Sequence, residues 1–404
     1  MSEGGFRASG YSWRLHCGRQ AIEEGVAAAA ERARARRAFV ICSPSVAART
    51  DTVRRIAAAL GDRYAGTFDG IEKDSTYASV CAARDAARAA GADLLVAVGG
   101  GSVIVAVRAV AIFLAERDAP ERLMTQYPEG RSAYSPRLLA PKLPIVNVPT
   151  TPNSAVNRAG TGLKNPALDH RMEFFDPKTR PQAIVFDEAA LAATPAAMIR
   201  STATTIFAST VSAISRVGLN PLAAADRDQA FRLAWQAYPR LAEAPDDPAP
   251  RIAFCLAAFL QNRAEDDGAP PFRGSAFAGN YAVSTALHVR YPHVGQGEST
   301  AVIHAARIRL AETVDEAAAR QVATALEVWR EGMAARDAAL AVADRLDALY
   351  VRLGMPTRLR DIGVPPADFP AIAAETVKNF NANAGVRSPQ QQIDDAMRLL
   401  EAAY

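Results

Sequence analysis

The sequence predicts an α/β domain followed by an all-helical domain. Three features carry this. Short apolar runs alternate with amphipathic helical patterns through the first half, and a glycine-rich turn directly follows one of those runs. Near residue 187 the texture then changes to alanine-rich, 3.6-period patterns. At 404 residues the chain exceeds one ordinary core. The boundaries read from it are 1–190 for the α/β domain and 191–404 for the helical one.

Residues 37–43 (RAFVICS) read as a strand, 45–60 as a helix and 64–71 (YAGTFDGI) as a second strand. A helix over 76–90 follows. Residues 92–98 (ADLLVAV) form a buried strand that runs straight into Gly99-Gly100-Gly101-Ser102. Residues 103–116 are helical, and 144–148 (PIVNV) are a further strand followed by Pro149-Thr150-Thr151. Strands alternating with helices predict a parallel sheet with crossover helices. From Pro195 onward the helical patterns are broken by proline and glycine, notably at Pro248-Ala249-Pro250 and at 268–271. There is no internal repeat and no long low-complexity tract.

Composition narrows the function classes. Half of the residues are hydrophobic and 22% are charged, as in ordinary globular chains. A net charge of +3 is too small to make nucleic acid the main partner, and the arginines in 31–37 sit among alanines as on a solvated helix face. No stretch approaches the roughly 20 apolar residues of a membrane span. The N-terminus has no apolar core flanked by a cleavage site. Cys17, Cys42, Cys81 and Cys255 are scattered without CxxC spacing. They read as buried thiols in a reducing compartment, so a cytoplasmic location is expected.

The turn VAVGGGS carries the strongest chemical signal. Consecutive glycines after a buried strand let the backbone approach a ligand without Cβ clashes, and the helix read as beginning at Ser102 points free N–H groups and a partial positive charge at the same spot. That arrangement suits a pyrophosphate, although three glycines also make a tight turn, and the pattern is not GxGxxG. A second polar turn, PTTPNS, also follows a strand. There Thr150, Thr151 and Ser154 offer hydroxyls for phosphate or ribose.

The run FDGIEKDSTYASVCAARDAARAAGADLLVAVGGGSVI resembles the cofactor half of the iron-containing alcohol dehydrogenases, a family that includes the maleylacetate reductases and shares its two-domain plan with dehydroquinate synthase. The resemblance continues through PIVNVPTTPNS, AIVFDEAALAATP and STATTIFAST to NANAGVRSPQQQIDDAMRLLEAAY, so it covers nearly the whole chain. It implies NAD or NADP held at the glycine turn, an active site in the cleft closed by the helical domain, and a homodimer. By position Gly99, Gly100, Gly101, Ser102, Thr150 and Thr151 match the family's cofactor contacts, and Asp69 and Gly70 match a loop beside the nucleotide. Where the family carries an acidic residue at the end of its first strand this chain has Ser43, which leaves NADP open because a carboxylate there would repel a 2′-phosphate. The family's aspartate after GGGS is Val105, and its glycine-rich continuation after Pro-Thr-Thr is Pro152-Asn153-Ser154-Ala155.

The resemblance also implies a metal held by an Asp and a His four residues apart on one helix, plus two later histidines. The matching helix positions are Phe207 and Val211, which ligate nothing. The first later histidine falls near Tyr281 or Ala282. The second falls on Gln296 if Gly297 is aligned, or on His293 if Pro292-His293 is aligned. At most one ligand remains, so no catalytic metal is expected. Another group must then stabilise the developing alkoxide. The candidates are His288 and His293, with Tyr291 as a further donor. His16, His170 and His304 have weaker claims, and Lys164, Arg171 and Lys178, on the segment expected to cross between domains, join Asn157 and Arg158 as candidate anion partners.

The leading expectation is a metal-independent NAD(P)-dependent oxidoreductase acting on a hydroxyl or carbonyl of a small-molecule or peptide substrate. A decarboxylating version resembles the dehydrogenases of the peptide natural-product pathways called daptides, in which a C-terminal threonine is oxidised and loses CO2. The rival expectation is a non-catalytic nucleotide-binding subunit of a biosynthetic complex. A third is a lyase related to dehydroquinate synthase, whose chemistry normally needs a metal.

Overall fold

The computed structural model describes residues 5–128, 131–269, 275–379 and 388–404. Pro270 and Pro271 of the 268–271 break, and residues 381–387 of the last motif, lie outside them. Tyr11–Pro195 form one compact unit. In chain order it contains β1 (Arg14–Gly18), α1 (Ala21–Arg32), β2 (Ala38–Cys42), α2 (Pro44–Arg49), α3 (Thr52–Leu60), β3 (Tyr64–Phe68), α4 (Tyr77–Ala89), β4 (Leu94–Gly99) and α5 (Gly101–Ala115). It continues with α6 (Pro120–Leu123), β5 (Ile145–Pro149), β6 (Gly160–Leu163), β7 (Met172–Phe175), β8 (Ala183–Asp187) and α7 (Glu188–Ala192). Six strands form a wholly parallel sheet in the order β1-β8-β5-β4-β2-β3, and β6 and β7 form a separate antiparallel pair.

Strands β2, β4, β5 and β8 are buried along their whole length, so they read as largely apolar runs rather than alternating ones, interrupted only by Asn147 in β5 and ended by Asp187 in β8. On one face Ile41, Leu95 and Ala97 pack with Val80 of α4 and Ile104 and Val107 of α5. On the other, Val40, Val96 and Val98 pack with Ile22 and Val26 of α1 and Ile56 of α3. Helix α5 is apolar on nearly every side and deeply buried. Its one charged residue, Arg108, is 1% exposed and donates to Gly160 O at 2.6 Å and to Ala155 O, which fixes the segment after β5. Burial lowers the Arg108 pKa to about 9, so the guanidinium stays charged at neutral pH.

Several local expectations are corrected. The helix read over 45–60 is two helices, because Thr50 is extended. Its hydroxyl donates to Val46 O at 2.8 Å and accepts from the Thr52 N–H, a side-chain alternative to the helical ladder. The second strand ends at Phe68, where the chain turns through Asp69-Gly70 and the Ile71 N–H donates to Cys42 O at 3.2 Å. The helix after the glycine turn begins at Gly101, with Gly100 as its N-cap, one residue ahead of Ser102. Cys17 is exposed and Cys81 half-buried, while Cys42 and Cys255 are buried. Cys17 lies on β1, an edge strand whose burial pattern is mixed. Lys164, Arg171 and Lys178 belong to the α/β unit, on and just after the β6–β7 hairpin.

The other unit takes in the first residues through Gly10 and the chain from Ala196 onward. The Ser9 N–H donates to Asp266 O at 2.7 Å. Its helices are α8 (Ala196–Ile214), α9 (Pro221–Ala237), α10 (Arg240–Glu243), α11 (Pro248–Asp266), α12 (Tyr281–Arg290), α13 (Gln296–Arg309), α14 (Glu316–Ala325), α15 (Ala335–Arg352), α16 (Phe369–Glu375) and α17 (Pro389–Ala402). No strand occurs among its described residues, and no helix among the described residues is long and apolar enough to cross a membrane. Helix α8 packs against α9, α11 and α13. A Cβ on Gly297 would lie 2.0 Å from Ser201 O, so glycine is what lets α13 start against the backbone of α8.

His304 is fully buried on α13. Its Nε2 hydrogen-bonds Phe277 O at 3.3 Å, so it is the protonated nitrogen, and Nδ1 accepts from the Tyr350 hydroxyl at 2.7 Å. Burial lowers its pKa to about 4. The folded-state pKa lies below the unfolded value, so the unfolded chain takes up the proton first on acidification. This contribution is present above about pH 6.5 and is lost as pH falls towards 4, in total about 3 kcal/mol. Urea midpoints measured by circular dichroism between pH 7 and pH 4 should fall accordingly, and His304→Gln should flatten that part of the curve.

Candidate cofactor site and the substituted ligand positions

Four adjacent strands, β3-β2-β4-β5, bring their carboxyl ends to one edge of the sheet. There β3 is followed by Asp69 and Gly70, β2 by Ser43, β4 by Gly100, Gly101 and Ser102, and β5 by Thr150 and Thr151. The residues expected to hold a cofactor are therefore collected from four strand ends. After β2 the chain winds outward to β3, then returns to β4 and proceeds the other way through β5 to β8. The topological switch point lies between β2 and β4, and ligands of doubly wound sheets bind outside the strand ends at such a point.

Gly99 has φ +153°, and a Cβ there would lie 2.7 Å from Val103 Cγ2. A Cβ on Gly100 would lie 3.2 Å from Thr151 Oγ1, and the Thr150 N–H donates to Gly99 O at 3.0 Å. The turns after β4 and β5 thus touch through backbone that carries no side chain on one side. The N–H groups of Val103 and Ile104 both bond Gly100 O, so those of Gly101 and Ser102 are left at the tip of a 15-residue helix.

Ser102 is clamped from the loop after β3. The Asp74 N–H donates to Ser102 Oγ at 3.1 Å, and Ser75 Oγ donates to Ser102 O at 2.6 Å. With its oxygen already engaged as an acceptor, the Ser102 hydroxyl directs its proton elsewhere. Asp74 and Ser75 hold φ values of 63° and 54°, a conformation that costs non-glycine residues about 1 kcal/mol or more each. The Lys164 N–H, which donates to Ser75 O at 3.2 Å, helps hold them there.

Thr151 Oγ1 and Asn153 Oδ1 are buried and have no hydrogen-bond partner among the described residues. Both side chains lie beside the glycine turn, Thr151 against Gly100 and Asn153 against Gly101. Buried polar atoms are normally satisfied, so these two mark a place for a ligand group. Donor N–H groups, a threonine hydroxyl and space where a Cβ would stand fit a pyrophosphate with its riboses. Ser154 follows at the half-buried end of the same turn.

The helical unit differs at the positions matched to metal ligands. Phe207 and Val211 are both fully buried on α8. The Phe207 ring stacks on Tyr238 with centroids 4.2 Å apart and an interplanar angle of 7°, and on Trp235 at 6.3 Å. Tyr281 is exposed, Ala282 is buried, and Gln296 opens α13. Among the described residues no three His, Cys, Asp or Glu side chains gather as a metal would require. An aromatic stack and a valine do not form half of a coordination sphere, and these residues do not fit a metal.

Of the three catalytic candidates, the structure brings Tyr291 and His293 together, their rings edge to face at 5.9 Å. The Tyr291 hydroxyl donates to Asp368 Oδ2, and burial together with that carboxylate pushes its pKa up to about 12. His293 is exposed, with Nε2 on Ile362 O at 3.1 Å. His288 is buried on α12, with Nδ1 on Ser284 O at 2.8 Å. His16 lies on β1 against Gly25. His170 pairs with Asp169 at 2.6 Å, and Lys178 with Asp176 at 2.9 Å. Arg171 donates to Gly162 O, Asn157 is buried and Arg158 half-buried. Sequence reasoning missed one polar pair, Glu298 with Ser201, joined at 2.5 Å where α13 meets α8. The Gly-Gln-Gly-Glu run at 295–298 was the signal for it, because only close helix approach calls for both glycines.

Comparison with known proteins agrees over nearly the whole chain. The family model described as iron-containing alcohol dehydrogenase matches residues 13–188, and the C-terminal model of the same family matches 206–404. Maleylacetate reductase 2 of Cupriavidus pinatubonensis is 29% identical over 237 residues, 59% of this chain and 57% of that protein. The 1,3-propanediol dehydrogenase of Klebsiella pneumoniae is 27% identical over 80% of each chain. Two solved structures show the same fold: NADH-dependent butanol dehydrogenase A of Thermotoga maritima, with TM-score 0.82, 18% identity and coverage of 100% and 99%, and maleylacetate reductase of a Rhizobium strain, with TM-score 0.73, 20% identity and coverage of 99% and 98%.

The site makes a specific prediction. In Gly100→Ala the new Cβ meets Thr151 Oγ1 and fills the approach to the turn. Dinucleotide affinity should fall at least about tenfold, or 1.4 kcal/mol. Stability should change by only about 1 kcal/mol or less, as at other N-caps. Calorimetric titration beside urea unfolding separates the two effects.

Proposed function

The chain belongs to the iron-containing alcohol dehydrogenase family, a family of alcohol dehydrogenase-like oxidoreductases, and from that premise we propose that it is an NAD(P)-dependent oxidoreductase of hydroxyl or carbonyl groups that works without a metal. The observation that carries the cofactor reading is the pair of buried atoms without a partner among the described residues, Thr151 Oγ1 and Asn153 Oδ1, beside a turn where a Cβ at position 100 would press on the Thr151 hydroxyl. The aromatic packing of Phe207 at the matched ligand position supports the metal-independent part.

In this reading the Gly101 and Ser102 N–H groups and the Thr151 hydroxyl hold the pyrophosphate, and the α5 N-terminus offsets its charge. A bound nicotinamide supplies the hydride acceptor or donor. Proton exchange with the substrate hydroxyl falls to His288 or His293, because the Tyr291 proton is committed to Asp368. Tyr291 then acts by seating the His293 ring.

The finer proposal is a β-hydroxy acid substrate, including the C-terminal threonine of a peptide. Oxidation at the hydroxyl gives a β-keto acid. Its carboxylate then leaves as CO2, with the bonding pair taken up by the ketone, so that loss calls for no Lewis acid. The reading further includes a cytoplasmic homodimer.

The test is turnover by protein whose metal content has been measured. Chelator-treated enzyme should reduce NAD(P) with a β-hydroxy acid at an undiminished rate and release one CO2 per NAD(P)H formed. A rate that rises and falls with added iron or zinc would contradict metal independence. Turnover without CO2 would leave simple alcohol oxidation.

A further inference from the structure

The dinucleotide reading leaves NAD and NADP open, and the strand ends bear on the choice. In doubly wound sheets the phosphates sit at the helix that follows the glycine turn, and the adenosine ribose is read by an acid at the end of the neighbouring strand. The neighbour of β4 is β2, which ends in Cys42-Ser43 and brings no carboxylate. The Ser43 hydroxyl is 3.1 Å from that of Ser45.

One strand further out, Phe68 of β3 is in register with Ile41 of β2, so Asp69 follows in register with Cys42. The hydrogen bond from the Ile71 N–H to Cys42 O ties the turn after β3 to the end of β2. A Cβ on Gly70 would lie 2.7 Å from the Phe68 ring, so the turn folds tightly over that ring. Asp69 is exposed, and it makes no hydrogen bond or ion pair among the described residues. Its charge reaches the end of β2, where burial first and Asp69 second push the Cys42 thiol up to about 12.

We infer that Asp69, supplied by β3 in place of the missing acid on β2, accepts from the ribose 2′-hydroxyl and selects the dinucleotide that lacks a 2′-phosphate. A 2′-phosphate there would face an uncompensated carboxylate. The following loop, Glu72-Lys73-Asp74, carries two carboxylates against one ammonium. Arg49 stands at the opposite end of α2 from Ser43, roughly 9 Å along the axis. The inference rests on the dinucleotide reading and decides its cofactor.

The test is fluorescence titration of NADH and NADPH into the full-length wild-type protein, Asp69→Asn and Asp69→Ser. Wild type should bind NADH at least about tenfold more tightly than NADPH, and both variants should shrink that ratio roughly tenfold, chiefly by tightening NADPH. Asparagine keeps the shape and removes the charge, so its effect isolates electrostatics. Equal or tighter NADPH binding by wild type, or a ratio unchanged in both variants, would overturn the inference while the dinucleotide reading stands. Binding of neither dinucleotide by wild type would overturn both.

Discussion

The α/β unit depends on one close approach, that of the turn after β4 to the turn after β5. Gly100 and Thr151 meet there so closely that a Cβ on Gly100 would lie 3.2 Å from the threonine hydroxyl. Because the turn is that tight, α5 starts at the carboxyl edge of the sheet and crosses back over the face made by Ile41, Leu95 and Ala97. Being apolar on almost all sides, α5 is stable only when covered, and the strands beneath it are buried as a consequence. The start of α5 and the candidate ligand site therefore share the same contact. The loop after β3, with Asp74 and Ser75 in a costly backbone conformation, holds Ser102, and Arg108 pins the segment after β5 through two carbonyls.

The helical unit solves a different problem at its core. A carboxylate and an imidazole at 207 and 211 would need a metal to be stable when buried, because lone buried charges are costly. With phenylalanine and valine there, the α8 surface closes by aromatic packing. The Phe207–Tyr238 stack adds about 1 kcal/mol beyond the area it buries. Tyr238 in turn bonds Thr204 at 2.6 Å, so its hydroxyl is satisfied within the same layer. This unit closes by packing alone at the two positions that the family resemblance matches to metal ligands.

Much of this was legible in the sequence, for identifiable reasons. The central strands β2, β4 and β5 were readable because strands buried on both faces give apolar runs bounded by turn residues. The glycine turn and PTT were readable because backbone exposed to a ligand needs small or hydroxylated residues. The edge strand β1 was not, since RLHCG has mixed burial and no clean period. Nor was the β6–β7 pair, whose four-residue strands fall below any reliable period. Strand β8 was apolar enough to see, yet it was read only as part of a motif. The Thr50 break depended on a hydroxyl choosing Val46 O, and the exposure of Cys17 on which strand lies at the sheet edge. The orphaned atoms of Thr151 and Asn153, the Ser201–Glu298 pair and the buried arginine are all tertiary facts. Each is a matter of who meets whom across the chain, which residue types alone do not encode.

The central proposal is that this chain holds a nicotinamide dinucleotide at the Gly100–Thr151 contact and works without a metal. The most direct measurement is calorimetric titration of NADH and NADPH into purified protein whose iron and zinc content is determined on the same sample. The account predicts one dinucleotide bound per chain with no stoichiometric metal. Failure to bind either dinucleotide, or binding that requires a metal, would contradict it.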